Sequence, residues 1–206
     1  MKKHPKTLLT PRFVEALQYA ITAHGAQVKK GTDVTYVAHL LGVASLVLEH
    51  GGSEDEAIAG LLHDTIEDGG AHHEAPIRAR FGADVADMVL GLTDGTEAQK
   101  AAFTTPEEKR AGWERRKRDY LANLQHHEDR VLRVSCCDKL YNARAIVSDL
   151  HAIGFDVFRR FTAGTKGTLW YYAELAKVFE QRQVGPAAEL VRTVREMARL
   201  AEGAVA

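Results

Sequence analysis

The run Gly60-Leu61-Leu62-His63-Asp64-Thr65-Ile66-Glu67-Asp68 constrains the fold more than any other stretch. Ile58, Leu61, Leu62 and Ile66 recur at helical spacing, so the segment reads as a helix packed into a core. The same run carries an imidazole and three carboxylates. Side chains four apart on a helix stack at about 5–6 Å between Cβ atoms, which sets His63 over Glu67 and Asp64 over Asp68. Desolvating such groups beside a core is costly unless something pairs with them. A divalent cation is the simplest partner. A helix end that merely turns polar before Gly69-Gly70 is the other reading.

The rest of the chain supplies helices to pack around this one. Thr10-Pro11 is an N-cap with proline at the first helical position, followed by Val14, Leu17 and Ile21 at helical spacing. A second helix is predicted over 36–50, with Leu40, Ala44, Val47 and Leu48 inward and Gly51-Gly52 as its stop. Ser53 and Glu56 form a capping box that opens the central helix. Two short helices follow at 74–81 and 83–92, then a polar segment, 93–104. Thr105-Pro106 restarts a helix to about 125, rich in Arg110, Arg115, Arg116, Lys117 and Arg118. A long helix is predicted over 129–151, a short one over 155–161, and two more over 168–181 and 186–201. There is no repeat, low-complexity stretch or long strand. The expected fold class is all-α, a compact helical bundle within one domain of 1–206.

Charge and cysteine content narrow the partners. At 206 residues with formal net charge -1, the chain has no global pull toward nucleic acid or anionic lipid, so anion affinity must be local. No run approaches the roughly 18 apolar residues of a membrane span. The start is basic, but Leu8-Leu9 is no signal-peptide core. Cys136 and Cys137 are adjacent and have no third cysteine to pair with, which points to a reducing cytoplasm and to apolar filling of a helix.

Two distant residues extend the central cluster. His39 lies in an apolar helix, where alone it reads as a core histidine. Asp138 lies in Val134-Ser135-Cys136-Cys137-Asp138-Lys139-Leu140, where alone it reads as half of a salt bridge. Together, two imidazoles and two carboxylates make a mixed nitrogen and oxygen set suited to Mn²⁺, Fe²⁺ or Zn²⁺ with positions left for water. His72-His73 and His126-His127 read as surface pairs.

These segments resemble the HD-domain metal-dependent phosphohydrolases, and more narrowly the hydrolase domain of RelA/SpoT-type alarmone enzymes and their small stand-alone relatives. The matching stretches are Ala38-His39 after a Lys/Gly-rich loop, His63-Asp64-Thr65-Ile66-Glu67-Asp68, Phe81-Gly82-Ala83-Asp84, and Asp138-Lys139-Leu140-Tyr141-Asn142-Ala143-Arg144, a motif core of about 20–150. The resemblance implies that His39, His63, Asp64 and Asp138 hold Mn²⁺, and that Glu67 and Asp68 orient and deprotonate the attacking water. It also implies that Lys29, Lys30, Asn142 and Arg144 meet substrate. For Arg144 a salt bridge is an equal account. The activity implied is removal of the 3′-pyrophosphate from guanosine tetra- and pentaphosphate.

The chain departs from that pattern in its loop. The family carries an Arg-Lys pair where this chain has Lys29-Lys30, in a loop about two residues longer. Lysine lacks arginine's planar, forked donors. Two other functions therefore stand beside the first: an HD-type phosphohydrolase acting on another nucleotide or phosphate ester, and a non-catalytic nucleotide sensor. Trp113, Lys117 and Tyr120 share one helical side and border either the pocket or solvent.

Overall fold

The computed structural model describes residues 7–95 and 102–203. The basic start, 1–6, and part of the polar segment, 96–101, lie outside the described residues.

The architecture is all-α. Helices run α1 Pro11–His24, α2 Val37–Glu49, α3 Glu54–Leu62, α4 Thr65–Gly69, α5 Glu74–Phe81, α6 Ala83–Leu92, α7 Pro106–Leu124, α8 Asp129–Ile153, α9 Gly164–Gln181 and α10 Ala187–Gly203. Short 3₁₀ segments, Ala71–His73 and Gly154–Arg160, link α4 to α5 and follow α8. Among the described residues the only extended pairing is an isolated antiparallel bridge, Val28 with Thr35, which closes the loop before α2. No described helix is long and apolar enough to cross a membrane.

The caps behave as local chemistry dictates. The Thr10 side chain accepts from Arg12 N, and capping boxes form at Ser53/Glu56 and Thr105/Glu108. The segment read as a helix over 155–161 is the 3₁₀ turn, and α9 begins at Gly164, four residues earlier than its glycine pattern suggests.

The site depends on how α8 meets α2. The 25-residue α8 packs against α2, α3, α6, α9 and α10 and buries Leu132, Val134, Cys136, Cys137, Leu140 and Ala143. Both cysteines are free thiols, and burial raises their pKa, so they act as small apolar groups. One glycine sets the approach of α8. A Cβ at Gly42 of α2 would overlap the Tyr141 ring of α8. Its missing side chain lets α8 lie close against α2, which brings Asp138 toward His39.

Candidate metal centre and its cavity

The central segment is not one unbroken helix. It turns at His63-Asp64, between α3 and α4, although both residues keep right-handed helical backbone angles. The His63 imidazole supplies the reason. Its Nδ1–H donates at 2.9 Å to the Gly60 carbonyl, the group that receives the Asp64 N–H in a continuous helix. The same bond fixes the tautomer and aims Nε2 away from the helix.

That nitrogen meets three others' lone pairs. His63 Nε2 lies 3.2 Å from His39 Nε2, 2.9 Å from Asp64 Oδ2 and 3.6 Å from Asp138 Oδ1. His39 Nε2 lies 3.5 Å from Asp64 Oδ2 and 3.4 Å from Asp138 Oδ1. His39, His63 and Asp64 form the tightest group, and Asp138 joins through the same two nitrogens. Ligands about 2.1 Å from one cation stand roughly 3.0–3.4 Å apart, so these spacings match the edges of a coordination shell. The donor atoms of His39, His63 and Asp64 crowd one point, with Asp138 Oδ1 beside the two imidazoles, and the His63 Nδ1–H is already spent on Gly60. A divalent cation fits the donors present.

Electrostatics agree. Burial pushes the His63 pKa down, but Asp64 and Asp138 outweigh it and hold the imidazole well above its usual range. Burial likewise opposes ionisation of Asp64 and Asp138, yet His63 for the first, and Lys139 and His63 for the second, hold both well below the carboxylate range. Tyr36 donates to Asp64 Oδ2 at 2.5 Å, and its own pKa is raised by burial and by that carboxylate. Asp138 is braced from behind: Lys139 Nζ sits 2.6 Å from Oδ2, and Asn142 Nδ2 donates at 2.7 Å to Oδ1.

The two acids one turn on diverge. Asp68 Oδ2 accepts from Gln27 Nε2 at 2.8 Å, and Gln27 Oε1 lies 2.8 Å from His24 Nδ1. Glu67 Oε2 accepts from the Asp94 backbone N–H at 3.3 Å, and Asp94 pairs with Lys117. The His24–Gln27–Asp68 chain was not anticipated; the polar His24 and Gln27 beside a turn were its only sequence signal.

A cavity of about 520 Å³ opens beside the corner. His39, Tyr36 and Asn142 line it together with Lys29, Lys30 and Arg160, over an apolar floor that includes Phe161 and Tyr172. Arg144 does not join them. It turns onto α10 and pairs with Glu189, because two residues past Asn142 a helical side chain faces the opposite way. This is the ion pair that the sequence offered as one account of Arg144. Trp113, Lys117 and Tyr120 also stay out of the cavity. Trp113 packs edge-on to Trp170 and Tyr171, Lys117 lies over Tyr171, and Tyr120 shares a 2.6 Å hydrogen bond with Ser135. His73 is bonded to the Tyr19 hydroxyl at 2.7 Å.

Comparison with known proteins adds kinship to this geometry. A family model described as an HD domain matches residues 16–169. The guanosine-3′,5′-bis(diphosphate) 3′-pyrophosphohydrolase MESH1 of Xenopus tropicalis is 34% identical over 135 residues, 64% of this chain and 68% of that protein. A guanosine-3′,5′-bis(diphosphate) 3′-pyrophosphohydrolase of Aquifex aeolicus is 42% identical over 78 residues; the match covers 38% of this chain and only 11% of that much longer protein. A solved structure of a metazoan ortholog of SpoT that hydrolyses ppGpp superposes with a TM-score of 0.68 at 25% identity, covering 94% of this chain and 97% of that one.

Proposed function

The chain belongs to the HD-domain family, and from that premise we propose that it is a metal-dependent hydrolase of guanosine 3′,5′-bis(diphosphate), yielding guanosine 5′-diphosphate and pyrophosphate, with all of 1–206 serving one domain. The observation that carries this reading is the convergence of His39, His63, Asp64 and Asp138 from α2, the α3–α4 turn and α8, beside a cationic cavity that His39 lines. The named relatives act on this substrate.

His39, His63, Asp64 and Asp138 would hold the cation, with Mn²⁺ the ion we propose. When bound, such a cation draws charge from the scissile phosphorus and acidifies water. The chain's own groups do the rest. Asp68 and Glu67 orient the attacking water and take its proton, Asp68 being steadied by Gln27. Asn142 and Lys139 keep the Asp138 carboxylate facing the corner. Lys29 and Lys30 attract the phosphates, and the Tyr172 and Phe161 floor takes the apolar part of the nucleoside.

The test is direct. Protein loaded with Mn²⁺ releases pyrophosphate and guanosine 5′-diphosphate from guanosine 3′,5′-bis(diphosphate). Absence of turnover with Mn²⁺, Mg²⁺, Fe²⁺ and Zn²⁺ overturns the reading. The lysine pair in the loop supports a second reading, hydrolysis of another nucleotide. Orthophosphate release from nucleoside monophosphates, with the bis(diphosphate) untouched, would select it.

A further inference from the structure

The loop that lines the cavity offers two lysines and no arginine, yet a guanidinium reaches the same cavity from the other end of the sequence. Arg160 closes the 3₁₀ turn after α8. Its Nη1 donates at 2.7 Å to Asp149 Oδ2, and Asp149 lines the cavity as well. The arm of Arg160 lies against the lysine loop: a Cβ at Gly31 would fall 2.7 Å from Arg160 Cδ and Nε. Gly31 adopts φ 74°, so glycine suits both the turn and the close approach. With the side chain only 21% exposed, the fork is held in one place before any ligand arrives.

Its position along α8 is informative. Asn142, beside the metal corner, and Asp149 are seven residues apart, two turns on one face and roughly 10 Å by helical rise. Lys29 is drawn over the Tyr141 ring at 5.3 Å, and Lys30 is a solvated point charge. Arg160 is the side chain in this lining with planar, paired donors suited to phosphate. Three cations against the single Asp149 leave the lining net positive.

We propose that Arg160 determines specificity at this site by binding the phosphate group of a nucleoside bis-phosphate that is not cleaved. The proposal rests on the hydrolase reading above and names the group that reads the substrate's far end. Asp149 presets the guanidinium, and Gly31 lets it reach the cavity across the loop.

The experiment compares guanosine 3′,5′-bis(diphosphate) with guanosine 3′-diphosphate, which lacks the 5′ phosphates, on wild type, Arg160→Ala and Arg160→Lys. Arg160→Ala should lose about 10- to 100-fold in kcat/KM on the first compound, mostly in KM, as expected for a charge-assisted phosphate contact. On the second it should match wild type within about 2-fold. Arg160→Lys should recover part of the loss. Equal losses on both compounds make Arg160 a brace for the loop, and no loss on either removes it from the site; both outcomes overturn the proposal. Arg160→Gln, which keeps the arm over Gly31, makes the same comparison if the alanine variant unfolds. If wild type turns over neither compound, the hydrolase reading fails by itself. Arg160 is then judged by calorimetry with guanosine 5′-diphosphate: weakening by about tenfold in Arg160→Ala supports it, and equal affinity overturns it.

Discussion

Asp138 and Glu56 are buried to the same depth, each 5% exposed, in two different parts of the molecule. Glu56, at the start of α3, is complete within the protein. One oxygen accepts from Ser53 N at 2.7 Å, and the other meets the Arg133 guanidinium of α8. Asp138 has Lys139 and Asn142 behind it, but its Oδ1 also faces two imidazole nitrogens that face each other. Burial is equal, and the neighbours are not. A buried acid marks a site when it also faces other groups able to hold a cation, and marks a structural brace when a guanidinium and a backbone N–H answer it completely.

The strongest way to break that contrast is to remove a ligand. His63→Ala should abolish stoichiometric binding of Mn²⁺ and lower kcat/KM by about 10⁴-fold or more, as loss of several kcal/mol of charge stabilisation implies. Metal retained at wild-type affinity, read by calorimetry, would reduce the corner to another ion-pair cluster. Asp68→Asn should cost about 10³-fold in kcat while leaving metal content intact. Gln27→Ala, which only frees Asp68, should cost about tenfold in kcat with KM little changed.

The corner should also respond to pH. The raised His63 pKa stabilises the metal-free fold fully below about 6.5, and that stabilisation fades as pH rises through the folded value. The lowered Asp64 and Asp138 pKa values stabilise it above about 3.9, an effect lost as pH falls through their folded values. A cation must displace the His63 proton. Its apparent affinity should therefore climb about tenfold per pH unit while His63 is protonated, and then level off. A metal titration at several pH values checks this, and a flat profile contradicts the proton count. The smallest effect on activity belongs to the brace. Arg133→Ala should lower stability by about 2 kcal/mol, less than a fully buried pair because Arg133 is 28% exposed, and leave kcat unchanged in the metal-loaded protein.

Much of the scaffold was legible because its signals are local. Thr10-Pro11, Ser53/Glu56 and Thr105/Glu108 announce helix starts within four residues, and the cores of α2 and α8 follow from helical spacing. The break at His63-Asp64 was not legible, since it depends on a side chain taking a carbonyl from the backbone ladder. Arg144 shows what a shared motif leaves open: it stands two residues from Asn142 and pairs with Glu189 on the other side of α8.

Local pattern along the chain was enough to specify the helices, the chemistry each could carry and the identity of the acids and imidazoles available. Which of them meet followed from packing, because the meeting depends on approach distances set elsewhere. Gly42 contributes no functional group, yet its empty Cβ position lets α8 come close enough to α2 for Asp138 to meet His39. Arg160 likewise reaches the cavity only because the chain folds back over Gly31. Spacing along a chain records local order, whereas coincidence in space comes from packing between segments that the order does not relate.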